Sequence, residues 1–325
     1  MALEDELYKK IKILNETTWE HRANRPSIDK WLGNFSTSKD KLHALFLLSQ
    51  FMYFGSMQMR ELLKSLYRDL YKYPNVQKIR KDNSDTLDEA FIKSEFRAWQ
   101  NNTRFLGVGN PSESGTHLLY FFRQENKLGK NLFINTHEIF TANSRRTSLA
   151  DPTIRNYVFI DDFCGTGSQA VDYSQSLIED IKAIDPTITA SYLMLFTTTN
   201  GQQAVISNTL FDDVRSVVEL DSSFKYFDPH SRYFKSPPSE IDKDYLQLLC
   251  EKHGWELYYS IHSATDTEPE LSLMADRDKL GFNGSQLLLG FHHNTPDNTL
   301  PIIWYDENTV DWWPVFKRYN KIYGL

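Results

Sequence analysis

From Arg104 onward, short apolar runs alternate with stretches of helical pattern, and this alternation limits the folds open to the chain more than any other feature. The runs are "RFLGVG", "NLFIN", "NYVFIDD", "ITASYLMLFTT" and "VRSVVEL". Helical patterns lie between them at Ser114 to Gln124, Ser168 to about Ile184, and Gly201 to Asn208. Strands alternating with helices at this spacing need crossover connections. They predict an α/β fold with a mostly parallel sheet flanked by helices.

The flanking regions have a different texture. Residues before 104 read as helical: Lys39 to about Tyr71 is apolar on nearly every face, and "TLDEAFIKSEFRAWQNN" gives a second amphipathic pattern from about Thr86. Pro74 and the charged run Lys78 to Asp85 separate the two. After Phe224 the pattern breaks into "KYFDPHSRYFKSPPSE", a helix near Tyr245 to His253 and an aromatic-rich tail. The expected division is a helical region over 1–103, an α/β core over 104–235, and an α+β extension over 236–325 packed on the core. The helical region reads as packing or as a partner-docking module.

Composition removes several classes. The 325 residues carry a net charge of -7, which argues against a general nucleic-acid binder, because that affinity comes from basic groups neutralising phosphates. Cys164 and Cys250 are too few for a disulfide framework and fit a reducing, cytoplasmic setting. The opening "MALEDELYKK" is acidic and has no apolar core, unlike a signal peptide. The longest apolar stretch, "HALFLLSQFMYFGSM", falls short of the roughly 20 residues a membrane span requires and reads as a buried helix.

One stretch carries chemistry: "VFIDDFCGTGSQA", Val158 to Ala170. An apolar run of this kind suits a central parallel strand, whose carboxyl end is where open α/β sheets place ligands. Gly165, Thr166 and Gly167 can turn tightly and present backbone N–H groups. Ser168 and Gln169 open the following helix, whose positive end favours an anion such as a phosphate. Asp161 and Asp162 would repel that phosphate, so they should face hydroxyl donors or a divalent cation attached to it. A sugar phosphate supplies both features. The same residues also make a plain turn with a helix cap.

This stretch resembles the phosphoribosyl pyrophosphate motif of type I phosphoribosyltransferases, in which an apolar strand leads into paired acids and a Thr-Gly phosphate loop. The resemblance implies a sheet of phosphoribosyltransferase type. It implies that Asp161 and Asp162 contact the ribose hydroxyls and Mg²⁺, and that Gly165, Thr166, Gly167, Ser168 and Gln169 hold the 5-phosphate. Gln169 departs from the family, which usually has a small hydroxyl residue there. Upstream, the turn Gly107, Val108, Gly109, Asn110 stands where that family carries its diphosphate loop, with Ser112, Glu113 and Ser114 adding polar groups. "THEIFTANSRRTSLADPTIRN" stands where it has a mobile active-site loop, so Arg145 and Arg146 would close over the diphosphate. A solvated arginine pair is the alternative.

"LGFNGSQLLLGFHHNTPDNTLPIIW" and "FDPHSRYF" are similar to the tails of phosphoribosyltransferase-like effectors of bacterial anti-phage conflict systems, some encoded beside retron reverse transcriptases. This second resemblance runs through most of the chain. It implies a toxic effector in antiviral defence, with a defence-system protein or a reverse transcriptase and nucleic-acid complex as partner. The activity implied is transfer to a nucleobase or macromolecule, or cleavage of an N-glycosidic bond. No residue marks itself as the base for an incoming nucleophile, so a non-catalytic nucleotide-sensing module stays open. Asn294, Thr295, Asp297 and Asn298 read as a polar turn able to meet a base or a partner. Arg232 and Tyr233 read as nucleotide contacts or packing, and His292 and His293 lack a matching metal-ligand set.

Overall fold

The apolar runs pair as parallel strands. In chain order the strands are β1 (Met52–Phe54), β2 (Thr103–Gly107), β3 (Asn156–Cys164), β4 (Thr189–Thr198), β5 (Asp213–Leu220) and β6 (Leu289–Phe291). The computed structural model describes residues 2–108, 114–141, 148–262, 268–306 and 310–319. Contacts gather the chain into two compact units, Arg60–Leu220, and Met1–Met59 together with Asp221–Leu325. These boundaries differ from those expected at 103/104 and 235/236. The physical reason is that the first residues and the last hundred share one hydrophobic core.

The Arg60–Leu220 unit holds a four-stranded parallel sheet in the order β2-β3-β4-β5. Helices Ser114–Glu125, Ser168–Ile184 and Thr199–Asn208 lie between successive strands, as crossover connections require. Asn156 to Ile160 of β3 are buried without a break, as are Tyr192 to Phe196 of β4, because these central strands are covered on both faces. The run "NLFIN" contributes a short turn, Lys130–Leu132, and a single parallel bridge from Phe133 to Phe105. That bridge lies on the edge of β2 away from β3. The spatial order therefore reverses between β2 and β3, which makes their carboxyl ends a topological switch point.

A long helical run crosses into this unit as Ser56–Ser65, widens to a π-helix over Leu66–Lys72 and continues as Tyr73–Asp82. The widened turn frees carbonyls for side chains. Arg215 of β5 donates to the Leu70 carbonyl at 2.7 Å, and Asn75 donates to the Tyr71 carbonyl at 2.7 Å. Tyr71 is buried and donates to Thr103 at the start of β2 (3.0 Å). Asp88 accepts the Ala90 and Phe91 amides and so starts helix Glu89–Asn101 three residues later than the amphipathic pattern predicts.

In the second unit, the stretch read as one helix from Lys39 to Tyr71 is broken. Helix Ser38–Leu48 ends, β1 follows and pairs in parallel with β6, and a new helix starts at Ser56. The core joins Trp19, Trp31, Phe35 and Phe51 from the beginning of the chain with Trp304, Tyr305 and Phe316 from its end. Trp31 donates to the Ile302 carbonyl at 2.7 Å, and Trp19 meets Phe316 edge-on at 5.2 Å. The polar turn after β6 is taken up by this packing. Asn294 bonds the Tyr319 backbone, Thr295 the Phe316 and Lys317 carbonyls, Asn298 the Ser285 hydroxyl, and Asp297 pairs with Arg318. Arg232 lies on the Phe224 ring at 3.3 Å, and Tyr233 packs against Tyr226. His293 stacks on Phe291. No helix among the described residues is long and apolar enough to cross a membrane.

Trp31→Ala removes one of the buried side chains through which the early and late parts of the chain pack together. It should cost about 3–5 kcal/mol, read as a lowered urea midpoint with the slope unchanged.

Candidate functional site

The site is built around the end of β3. Asn156 through Cys164 run in register with Thr189 through Thr197 of β4, while Gly107, the last residue of β2, pairs with Ile160. The glycine turn expected upstream therefore begins one residue short of Asp161. Val108 is buried in the core cluster that also holds Phe159 and Tyr192. Gly109 and Asn110 lie outside the described residues, as do Ser112 and Glu113.

The loop after β3 is held from behind by β4. Thr197 donates its hydroxyl to the Cys164 carbonyl (3.1 Å) and Thr198 donates to the Gly165 carbonyl (2.5 Å). In a trans peptide the next residue's N–H points away from the carbonyl. Fixing these two carbonyls toward β4 therefore turns the Gly165 and Thr166 amides the other way, toward the open end of the sheet. Thr198 also caps helix Thr199–Asn208, accepting the Gly201 amide at 2.9 Å.

Two glycines make this approach feasible. Gly167 adopts φ +82°, a conformation that side chains disfavour, and precedes helix Ser168–Ile184 as its cap. A Cβ on Gly167 would meet the Gly201 carbonyl at 2.8 Å, and a Cβ on Gly201 would meet the Gly165 carbonyl at 2.5 Å. The Thr166 hydroxyl lies 3.0 Å from that of Ser168. Ser168 and Gln169 are exposed, Gly165 and Thr166 partly so. The loop thus presents amides and hydroxyls at the positive end of a 17-residue helix, a setting that suits a phosphate.

The two acids occupy different surroundings. Alternation along the strand puts Asp161 on the face of Phe159, and Asp162 on the opposite face with Ile160. Asp161 Oδ2 accepts the Tyr192 hydroxyl at 2.7 Å and Oδ1 accepts the Asp162 amide at 2.9 Å. Burial of that carboxyl, reinforced by the neighbouring charge of Asp162, pushes its pKa well above the usual carboxylate range. Burial and the Asp161 charge likewise push Tyr192 up, so its phenol keeps the proton it donates. Burial pushes the Cys164 thiol up to about 12, leaving a packed thiol rather than a nucleophile.

Asp161 and Asp162 stand side by side near the end of β3. Among the described residues no group of three or more His, Cys, Asp or Glu is placed to hold a metal, His292 and His293 included. Arg145 and Arg146 lie outside the described residues. The segment carrying them leaves and re-enters on a short paired stem. Phe140 bridges Leu149, Thr141 donates to the Ser148 carbonyl (3.0 Å), and Ala150 donates to the Ile139 carbonyl (2.9 Å). Tyr192, Thr197, Thr198 and Gly201 were not singled out by the sequence. Their only signals were a tyrosine in an apolar run and the string "TTTNG" at its end.

A family model matches residues 28–318, and that family is PRTase-CE. The chain belongs to the PRTase-CE family. It is accordingly phosphoribosyltransferase-like, with the mixed α/β architecture and parallel sheets described above. No curated protein matches. Among solved structures, the chain is similar to the xanthine-guanine-hypoxanthine phosphoribosyltransferase of Helicobacter pylori, at 9% identity and a TM-score of 0.29, over 52% of this chain and 89% of that one.

Two outcomes follow for the site of this PRTase-CE protein. Gly201→Ala should displace the loop and lower stability by about 1–3 kcal/mol in a thermal melt. Asp161 binds its proton more tightly folded than unfolded, so it lowers stability as pH rises above about 4. Asp161→Asn should therefore raise the melting temperature, and by more at pH 7.5 than at pH 4.5.

Proposed function

We propose that this protein binds phosphoribosyl pyrophosphate, or a related nucleotide, at the carboxyl end of β3, and acts as an effector in anti-phage defence. The reading rests chiefly on one observation, the Cys164–Gly167 loop clamped by Thr197 and Thr198 beside two acids at the switch point. Membership in the PRTase-CE family supports it.

In this reading the 5-phosphate lies on the Gly165 and Thr166 amides and the Thr166 and Ser168 hydroxyls. The ribose hydroxyls face the acid pair, and the diphosphate extends toward the end of β2. Mg²⁺ binds well to one or two carboxylates when substrate phosphates complete its shell, and an acid pair of this kind fits that demand. The pair would hold it together with the substrate's own oxygens, and the ion would neutralise the diphosphate as it leaves. The bond from ribose C1 to the diphosphate oxygen breaks, and the diphosphate keeps the electron pair. An acceptor nitrogen or oxygen then bonds to C1, and the proton it loses passes to the departing diphosphate. On a nucleotide target, the equivalent cleavage breaks the N-glycosidic bond, the base keeps the electron pair and takes a proton from a water, and that water's oxygen bonds to C1. A reverse transcriptase with its nucleic acid, or another defence protein, would control the reaction.

A second reading is a nucleotide sensor without turnover. Gln169 favours it, since it replaces the small hydroxyl residue expected at the end of the loop.

The deciding experiment is calorimetric titration of the full chain with phosphoribosyl pyrophosphate and MgCl₂, beside an assay for released diphosphate with nucleobases or cellular RNA. Wild type should bind, and Gly167→Ala should weaken binding at least ~10-fold, equivalent to ~1.4 kcal/mol. Binding with diphosphate release supports the enzyme, binding without release supports the sensor, and no binding removes both.

A further inference from the structure

Two tyrosines in the unit that joins Met1–Met59 with Asp221–Leu325 have hydroxyls enclosed by protein, and neither hydroxyl finds a hydrogen-bond partner among the described residues. They are Tyr226 and Tyr233, at either end of the stretch "YFDPHSRY". From them we infer an internal binding site for a small neutral hydrogen-bonding guest, a water molecule shared by the two phenols.

The phenols are held where they are. The Tyr226 amide donates to the Gln286 carbonyl at 2.8 Å, and the next amide, that of Phe227, donates to the Gln286 side chain at 3.1 Å. The Tyr226 ring meets three others: Phe227 edge-on at 4.9 Å, Phe234 edge-on at 5.0 Å, and Tyr233 tilted at 4.9 Å. Tyr226 is 0% exposed and belongs to the core cluster that also holds Leu246 and Cys250. A hydroxyl enclosed without a partner forfeits the bond it made to water in the unfolded chain, and folded proteins rarely leave that loss uncompensated. Two such hydroxyls on rings in contact are satisfied together by one guest that accepts from one and donates to the other.

The surroundings select the guest. Burial pushes both phenols above their ordinary range, with Cys250 and Tyr233 adding to the effect on Tyr226, so each keeps its proton and can donate as well as accept. Burial likewise keeps the Cys250 thiol protonated. A cation therefore has no countercharge among these three groups. Arg232, whose charge acts on Tyr233 in the opposite sense to burial, is engaged by the Phe224 ring, the Ser223 hydroxyl and Asp221, so an enclosed anion would be unpaired as well. Buried waters take two to four polar partners, and two phenols with a thiol beside them supply that number. The same enclosure keeps the Tyr233 hydroxyl from meeting a nucleotide.

The test is scanning calorimetry of the full chain, Tyr226→Phe, Tyr233→Phe and the double variant, with oxygen-17 relaxation dispersion of wild type and the double variant. A phenol bonded to a water loses that bond on becoming Phe, so each single substitution should lower the melting temperature by about 1–3 °C. Because the guest is shared, the double variant should fall by less than the sum of the singles. Relaxation dispersion should show a long-lived internal water in wild type that the double variant lacks.

A rise in melting temperature in either single variant would overturn the inference, since removing a buried hydroxyl that has no partner stabilises a fold. So would losses that add, which assign each hydroxyl a partner of its own, or equal numbers of long-lived waters in wild type and double variant. The site stands or falls independently of the ligand at β3.

Discussion

Two threonine hydroxyls govern the geometry of the site. Thr197 and Thr198 end β4 and take the carbonyls of Cys164, the last residue of β3, and Gly165, the first of the loop. A loop left to itself would turn such carbonyls to solvent in several ways, and its amides would point in as many directions. Clamping the carbonyls fixes the amides. The Gly167 and Gly201 contacts then follow as a requirement, since hydroxyls of one-carbon reach can serve the loop only if the two backbones nearly touch.

The acid pair shows how a strand end can make two identical side chains unequal. A repeat of two along β3 separates their faces, and β4 happens to place a phenol under one of them. The resulting asymmetry is thermodynamic as well as geometric. Burial and the neighbouring Asp162 charge make the Asp161 carboxyl prefer its proton.

The sheet and its crossover helices were legible because they depend on local periodicity. "NYVFIDD" and "ITASYLMLFTT" announce buried strands, and the helix from Ser168 to Ile184 falls where its pattern places it. What was hidden depends on register. Nothing local to Tyr192 says that its hydroxyl meets Asp161 two positions along the neighbouring strand, and "TTT" reads simply as β-branched propensity until its partner loop is known. The break at Met52–Phe54 was hidden too, because three strand residues inside an apolar stretch carry no period that a helix lacks. The polar turn after β6 looked available for recognition. It is occupied by residues that follow it in the sequence, a contact invisible without the fold.

That Arg60–Leu220 lies in the sequence between the two segments of the other unit has a consequence for biosynthesis. A ribosome delivers every strand of the four-stranded sheet before it delivers Trp304, Tyr305 or Phe316. The sheet can close while Trp19 and Trp31 still wait for the aromatic partners that bury them. Trp19 and Trp31 are therefore made before the sheet yet sheltered after it, and a chaperone acting on the nascent chain should find them exposed while the sheet is already closed.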